Sequence, residues 1–226
     1  MMVLHIEAPY ASFRKSYARS FAETYPLPPP ATIYGMLLSL VGERFRHRHE
    51  GVRLAFAYKR IPKIATTLRK LSRFKYGIAS KQSKLGNQPD FIETLCGIDL
   101  LCWVDSQNEP SKDENQTANG QNLETRILTA LQTPSDVERY GLVCLGLSDD
   151  LVNDISIYQS GCDYWHRLVP SKTGTMELPA WVDHVGAAKT RWQRYHFEDK
   201  TQLTISENKI PWTESEWTQI VVPKIE

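Results

Sequence analysis

Four of the six residues from Tyr25 to Pro30 are proline: Pro26, Pro28, Pro29 and Pro30. Proline has no backbone N–H and confines the residue before it to extended angles, so this stretch is neither helix interior nor central strand. It predicts a stiff connector. What the connector delivers is equally constrained, because Ile33, Met36, Leu37, Leu40 and Val41 recur at the spacing of one helical face. Thr32 is expected at the N-cap of that helix and Gly42 at its end.

The second constraint is electrostatic. From Arg44 to Lys84 there are thirteen Lys or Arg against one acid, Glu50, in a chain of formal net charge +1. Met1–Glu43 carries three bases and three acids, and the chain from Leu85 onward carries eleven bases and twenty-two acids. Charge segregated in this way implies a basic face held against a polyanion, most commonly nucleic acid. The basic segment is interrupted by Phe74, Tyr76 and the break at Gly77, and Pro62 to Lys84 reads as a protruding hairpin or arm.

Other elements follow from periodicity. Val3 to Ala8 and Val52 to Lys59 alternate as half-buried strands, and in the second Arg53 and Lys59 share a side with Ala55 and Ala57. Leu95 to Val104 predicts a central strand, and Ser106 to Asn122 a mobile polar loop. Leu123 to Leu131 reads as a helix, Ser135 to Tyr140 as a short helix, and Leu142 to Leu147 as a strand. Further strand-like runs occupy Tyr158–Val169, Met176–Val182 and Ala188–Phe197. Strands outnumber helices, which favours an α+β fold with helices on one face of an antiparallel sheet.

Much chemistry is excluded. Cys96, Cys102, Cys144 and Cys162 stand singly in apolar runs without the paired spacing of a zinc site, so they are expected to be buried free thiols, with no metal and no cofactor. There is no P-loop, dinucleotide fingerprint, HExxH or nucleophile elbow. The acid pairs Asp149-Asp150 and Glu198-Asp199 read as solvated loop residues, and the tryptophans Trp165, Trp181, Trp192, Trp212 and Trp217 mostly as core, with partner contact near the last two. No run approaches eighteen apolar residues, and Met1 to Glu7 lacks a secretory pattern, so a cytoplasmic protein is expected.

One stretch is specific enough to suggest relatives. Phe13-Arg14, followed by the proline-rich lead into Thr32-Ile33-Tyr34-Gly35-Met36-Leu37, resembles the N-terminal signature of the Cas-five family of CRISPR-associated proteins. The close match covers Ala8 to Glu43. The resemblance implies a ferredoxin-like, RRM-related RAMP domain spanning the chain. It also implies a thumb at 59–93, a crRNA 5′ handle as ligand, and the backbone and large subunits of a type I Cascade complex as partners, with target DNA met indirectly.

Within that frame the expected RNA contacts fall in three groups. Arg14, Lys15 and Arg19 lie on a loop with Tyr10, Phe13 and Tyr17, and Tyr25 precedes the prolines. Thr32, Tyr34 and Gly35 open the helix, where free N–H groups attract phosphate. Arg53, Lys59, Arg60, Lys63, Arg69, Lys70, Arg73, Lys75, Lys81 and Lys84 supply charge along the arm, and Phe74 and Tyr76 supply rings for unpaired bases. The expected role is non-catalytic. A metal-independent crRNA-processing endoribonuclease is the alternative, with His47 and His49 in the basic region, although the Lys-His pair of the family's processing branch is absent. An unrelated basic RNA-binding scaffold is the third reading.

Overall fold

A computed structural model of the chain describes residues 1–18, 21–72, 87–110, 120–182, 189–206 and 210–223, with the backbone alone at 69–72 and 87–89. In chain order the strands and helices are β1 (Met2–Ala11), β2 (Phe21–Ala22), α1 (Pro30–Leu40), β3 (Arg53–Tyr58), β4 (Lys63–Ser72), β5 (Asn87–Asp105) and α2 (Leu123–Gln132). There follow β6 (Asp154–Ile157), β7 (Gly161–Pro170), β8 (Met176–Val182), β9 (Thr190–Phe197), β10 (Thr201–Ile205) and β11 (Thr218–Gln219). Among the described residues the strands form one sheet ordered β6-β1-β5-β3-β7-β9-β8, with β10 on β7, β11 on β3, and β2 and β4 on β5. Every pairing is antiparallel except that of β2 with β5. The fold is α+β.

Strand alternation sends two sets of side chains to opposite faces. Leu4, Ile6, Leu54, Phe56, Leu100 and Val104 join Ile33, Leu37 and Leu40 of α1 and Leu123 and Ile127 of α2 in the main core. Val3, Ala55, Ala57, Leu101 and Trp103 pack instead with Trp165, Leu203, Trp212 and Trp217. Each buried Leu or Ile stabilises by about 1.5–3 kcal/mol relative to exposure, so neither layer is incidental. The helices do occupy one face, and the opposite face is covered by the tryptophan-rich C-terminal part.

Several boundaries differ from expectation. Helix α1 starts at Pro30 with Pro29 as N-cap, because proline at the first position costs no hydrogen bond, and Thr32 is already inside the first turn. Ser135–Tyr140 is reduced to a 3-10 turn at Pro134–Asp136. Leu142–Leu147 is not a strand: it makes only an isolated bridge, Cys144 to Leu151, around Asp150. The Asp150 carboxylate is fully buried and accepts the Ser12 and Leu147 amides at 2.7 and 3.0 Å, so it is no solvated acid. Of the four free cysteines only Cys102 is buried; Cys96 and Cys144 are half-buried and Cys162 is exposed. Among the described residues no helix is long and apolar enough to cross a membrane.

Candidate nucleic-acid interface

The first turns of α1, the loop after β1 and the β8–β9 pair enclose a groove of about 540 Å³ whose wall includes Arg14, Tyr25, Thr32, Gly35, Arg46 and Trp192. The prolines hold α1 at its edge. The Tyr25 and Trp192 rings stand 6.1 Å apart, inclined at 55°, and Trp192 is 42% exposed, so its ring is accessible to a planar group. Burial raises the pKa of the Tyr25 hydroxyl, which stays protonated and able to donate.

Arg46 forms the cationic part. It lies in the 3-10 turn Arg46–His49 after α1, and its Nη2 donates to the Ala31 carbonyl at 2.7 Å. Its guanidinium carbon sits 5.9 Å from the Tyr34 ring centre and 5.6 Å from that of Trp181. Burial lowers the Arg46 pKa, and a cation held out of bulk water attracts an anion more strongly than an exposed one. Arg14 is exposed at the mouth of the groove, with Nη2 on the Ala18 carbonyl at 2.8 Å. The helix end contributes less. Pro30 has no N–H, and the Thr32 and Ile33 amides both donate to the Pro29 carbonyl at 2.9 and 3.1 Å.

The other expected contacts divide sharply. Tyr34 is corrected to a core residue: it is fully buried and its hydroxyl donates to the Arg46 carbonyl at 2.6 Å. Arg53 is likewise turned away from any ligand, bound to Asp105 and Glu214 and lying 5.2 Å from the centre of the Trp217 ring. Burial opposes its charge, but those hydrogen bonds overcome it and raise the pKa. Lys59 pairs with Asp163 over Trp165, on the same tryptophan-rich face. Lys15 pairs with Glu23 at 3.1 Å, a hydrogen bond that raises its pKa. Arg60 and Lys63 are exposed at the root of the arm.

The β4–β5 ladder runs from Lys63 opposite Cys96 to Ser72 opposite Asn87, with β1 and β2 on the other side of β5 at Leu95–Cys96 and Phe91–Ile92. Ten strand residues span about 33 Å. Ile64, Leu68 and Phe91 are exposed along it, and Phe21 of β2 stacks obliquely beside Phe91 at 6.4 Å. Arg69 and Lys70 lie within β4 by backbone register, opposite Asp90 and Pro89. Arg19, Arg73, Phe74, Lys75, Tyr76, Lys81 and Lys84 fall outside the described residues.

The two histidines of the ribonuclease alternative part company. His47 is exposed beside Phe45, whereas His49 is fully buried. Its Nε2 faces Arg126 Nη1 at 2.9 Å, and since arginine only donates, Nδ1 carries the hydrogen and donates to Glu109 at 2.7 Å. Burial works to raise the Glu109 carboxyl, but hydrogen bonds from His49, Ser106 and the Leu123 amide outweigh it and hold the pKa at about 2. Arg46 and Trp192 were missed as groove residues: one hides in a run of like charges, the other among residues read as core.

The molecule thus defined is an α+β protein with a cationic, aromatic-walled groove and a long β4–β5 ladder. In fold it is similar to a chain of a CRISPR RNA-guided surveillance complex, with a TM-score of 0.53 over 90% of this chain and 89% of that one at 11% identity. A crystal structure of a Cas protein aligns over 93% of this chain and 97% of its own at 13% identity and a TM-score of 0.42. In sequence, the family described as CRISPR-associated protein (Cas_Cas5) matches residues 1–132. A CRISPR-associated protein Cas5 of Myxococcus xanthus (strain DK1622) is 37% identical over 204 residues, 88% of this chain and 91% of that one. The chain belongs to the CRISPR-associated Cas5 family.

Proposed function

We propose that this protein is the non-catalytic subunit that caps the crRNA 5′ handle in a type I Cascade complex, with a ferredoxin-like RAMP body and the β4–β5 arm as its thumb. The observation that carries the reading is the groove at the start of α1, which Arg14 and Arg46 line together with Tyr25 and Trp192. Cations and rings lining one groove suit a single strand, whose phosphates are neutralised while an unstacked base lies on an aromatic face. The likeness to a chain of an RNA-guided surveillance complex supports assembly into a multi-subunit complex; the reading places backbone and large subunits as its neighbours in the cytoplasm, with target DNA met through them. Burial of His49 supports the non-catalytic role, since a general base must reach its substrate.

Reversing Arg69, Lys70, Arg73 and Lys75 to Glu is expected to release crRNA and block complex assembly. Each phosphate deprived of its neutralising cation reduces the steepness of log affinity against log salt by about 0.7 for a single strand. Unchanged RNA retention and assembly would remove the arm from the interface. Repeat RNA incubated with the protein in EDTA is expected to stay intact; specific cuts abolished by His47→Ala would overturn the non-catalytic role.

A further inference from the structure

His5 and Glu7 stand two residues apart on β1 and so point to one side of the sheet, the face away from the helices. Asp99 of β5 lies directly across from Glu7. The three side chains converge. His5 Nε2 is 2.9 Å from Asp99 Oδ1 and 3.8 Å from Glu7 Oε1, and one ligand atom from each residue lies within 4.8 Å of the others. Nitrogen and oxygen donors about 2.0–2.2 Å from zinc in a tetrahedron are themselves about 3.3–3.6 Å apart. The observed separations bracket that spacing, so only small rotamer changes bring all three onto one ion.

The surroundings orient the three side chains. The His5 ring is set edge-on against Tyr158 and Trp165 at 6.3 and 6.4 Å, which fixes its direction. Arg60 approaches Asp99 through the other carboxylate oxygen, Oδ2, at 3.4 Å, so the oxygen that meets His5, Oδ1, is the one a cation would share with the imidazole. The side chains of His5, Glu7 and Asp99 are 25, 43 and 13% exposed, so an ion and its water have a path in.

We propose that His5, Glu7 and Asp99 bind one divalent cation of the zinc class, with water in the open position. One imidazole with two carboxylates suits a borderline ion better than magnesium, which prefers oxygen donors and retains its waters. The position gives the ion a mechanical role. Here β5 changes partner, pairing with β3 from Leu100 to Asp105 and with β4 from Asn87 to Cys96, and Gly97 between them has φ +74°. An ion tying β1 to Asp99 clamps the point where the arm leaves the sheet. The site lies on the opposite side of the sheet from α1 and does not depend on the RNA-binding reading.

The test is calorimetric titration of ZnCl2 into untagged, metal-stripped full-length protein. One equivalent is expected to bind, with His5→Ala and Asp99→Asn each weakening it at least about tenfold, on the scale set by removing metal ligands and their partners. Cys162→Ser, which removes the exposed thiol, is expected to leave the isotherm unchanged. Thermal melts without metal report whether each variant is folded, and added zinc is expected to raise the midpoint of the wild type but not of folded His5→Ala or Asp99→Asn. No saturable site, wild-type affinity in both variants, loss of binding on Cys162→Ser, or equal affinity for magnesium would each overturn the proposal.

Discussion

The guanidinium of Arg46 rests against Gly35, its Nη1 only 3.4 Å from where a Cβ on that residue would stand. The glycine thereby lets an arginine from the following turn lie along the first turns of α1 and face the groove. Gly35→Ala meets an ordinary contact and removes a helix glycine, so it is expected to raise stability by about 0.5–1 kcal/mol and to leave RNA affinity nearly unchanged. Gly35→Leu fills the space the guanidinium occupies and is expected to weaken binding about tenfold or more, the scale of one charge-assisted hydrogen bond. Denaturant melts and filter binding on the pair separate the two effects; equal affinity in both variants would show that Arg46 contributes nothing.

Arg53 is tied to the fold by Asp105 and Glu214, and its role is expected to be structural. With Asp105 nearly buried and Glu214 on the other side, Arg53→Ala leaves a carboxylate without its counter-charge. Such changes cost about 3–5 kcal/mol for buried pairs, and part of that is expected here because Glu214 is exposed. Melts are expected to show a clear drop in stability while the folded variant binds RNA within about twofold of wild type, since no phosphate loses its cation. A selective loss of RNA binding with unchanged stability would restore Arg53 to the interface.

Acid should loosen the corner where His49, Glu109, Arg126 and Glu43 meet. The Glu109 pKa falls from 4.5 to about 2 on folding. A depressed carboxylate contributes fully above its unfolded value, so this contribution, on the order of 3 kcal/mol, is present above about pH 4.5 and is lost as pH falls toward 2. Urea melts across that range are expected to show the decline, and Glu109→Gln is expected to be less stable at neutral pH with a flatter acid limb. An acid limb as steep as wild type in Glu109→Gln would place the titration elsewhere.

Elements whose signal is local were legible in the sequence. The apolar spacing of Ile33 to Leu40 marks α1, alternation marks β3, and the apolar run before Asp105 marks the central part of β5. Asp154–Ile157 and Thr201–Ile205 were not, because short edge strands gain their structure from the neighbours Leu4–Glu7 and Gly161–Trp165. Leu142–Leu147 has strand composition, yet the buried Asp150 carboxylate takes the Leu147 amide that a strand would pair, and Leu142 stays 68% exposed. The site was half legible. The N-terminal signature points to Arg14, Thr32 and Gly35, but nothing local says that Arg46, among neighbouring basic residues, turns inward, or that Trp192 meets Tyr25 across the fold.

The proposed stacking of a base in the groove makes a separable demand. Trp192→Ala removes one of its two facing rings and is expected to cost about 1–3 kcal/mol of handle affinity, roughly five- to 150-fold, while the salt dependence stays the same because no charge is removed. A changed salt slope with unchanged affinity would mean that the ring touches no base.

The most direct measurement is equilibrium binding of crRNA with and without its 5′ handle to the wild type and to Arg14→Glu/Arg46→Glu. Two charge-assisted interactions of about 1.5–3 kcal/mol each are removed and reversed. Handle-dependent affinity is therefore expected to fall at least about a hundredfold while RNA lacking the handle binds the two proteins alike. Equal loss on both RNAs, or none on either, would contradict a handle-capping groove at the start of α1.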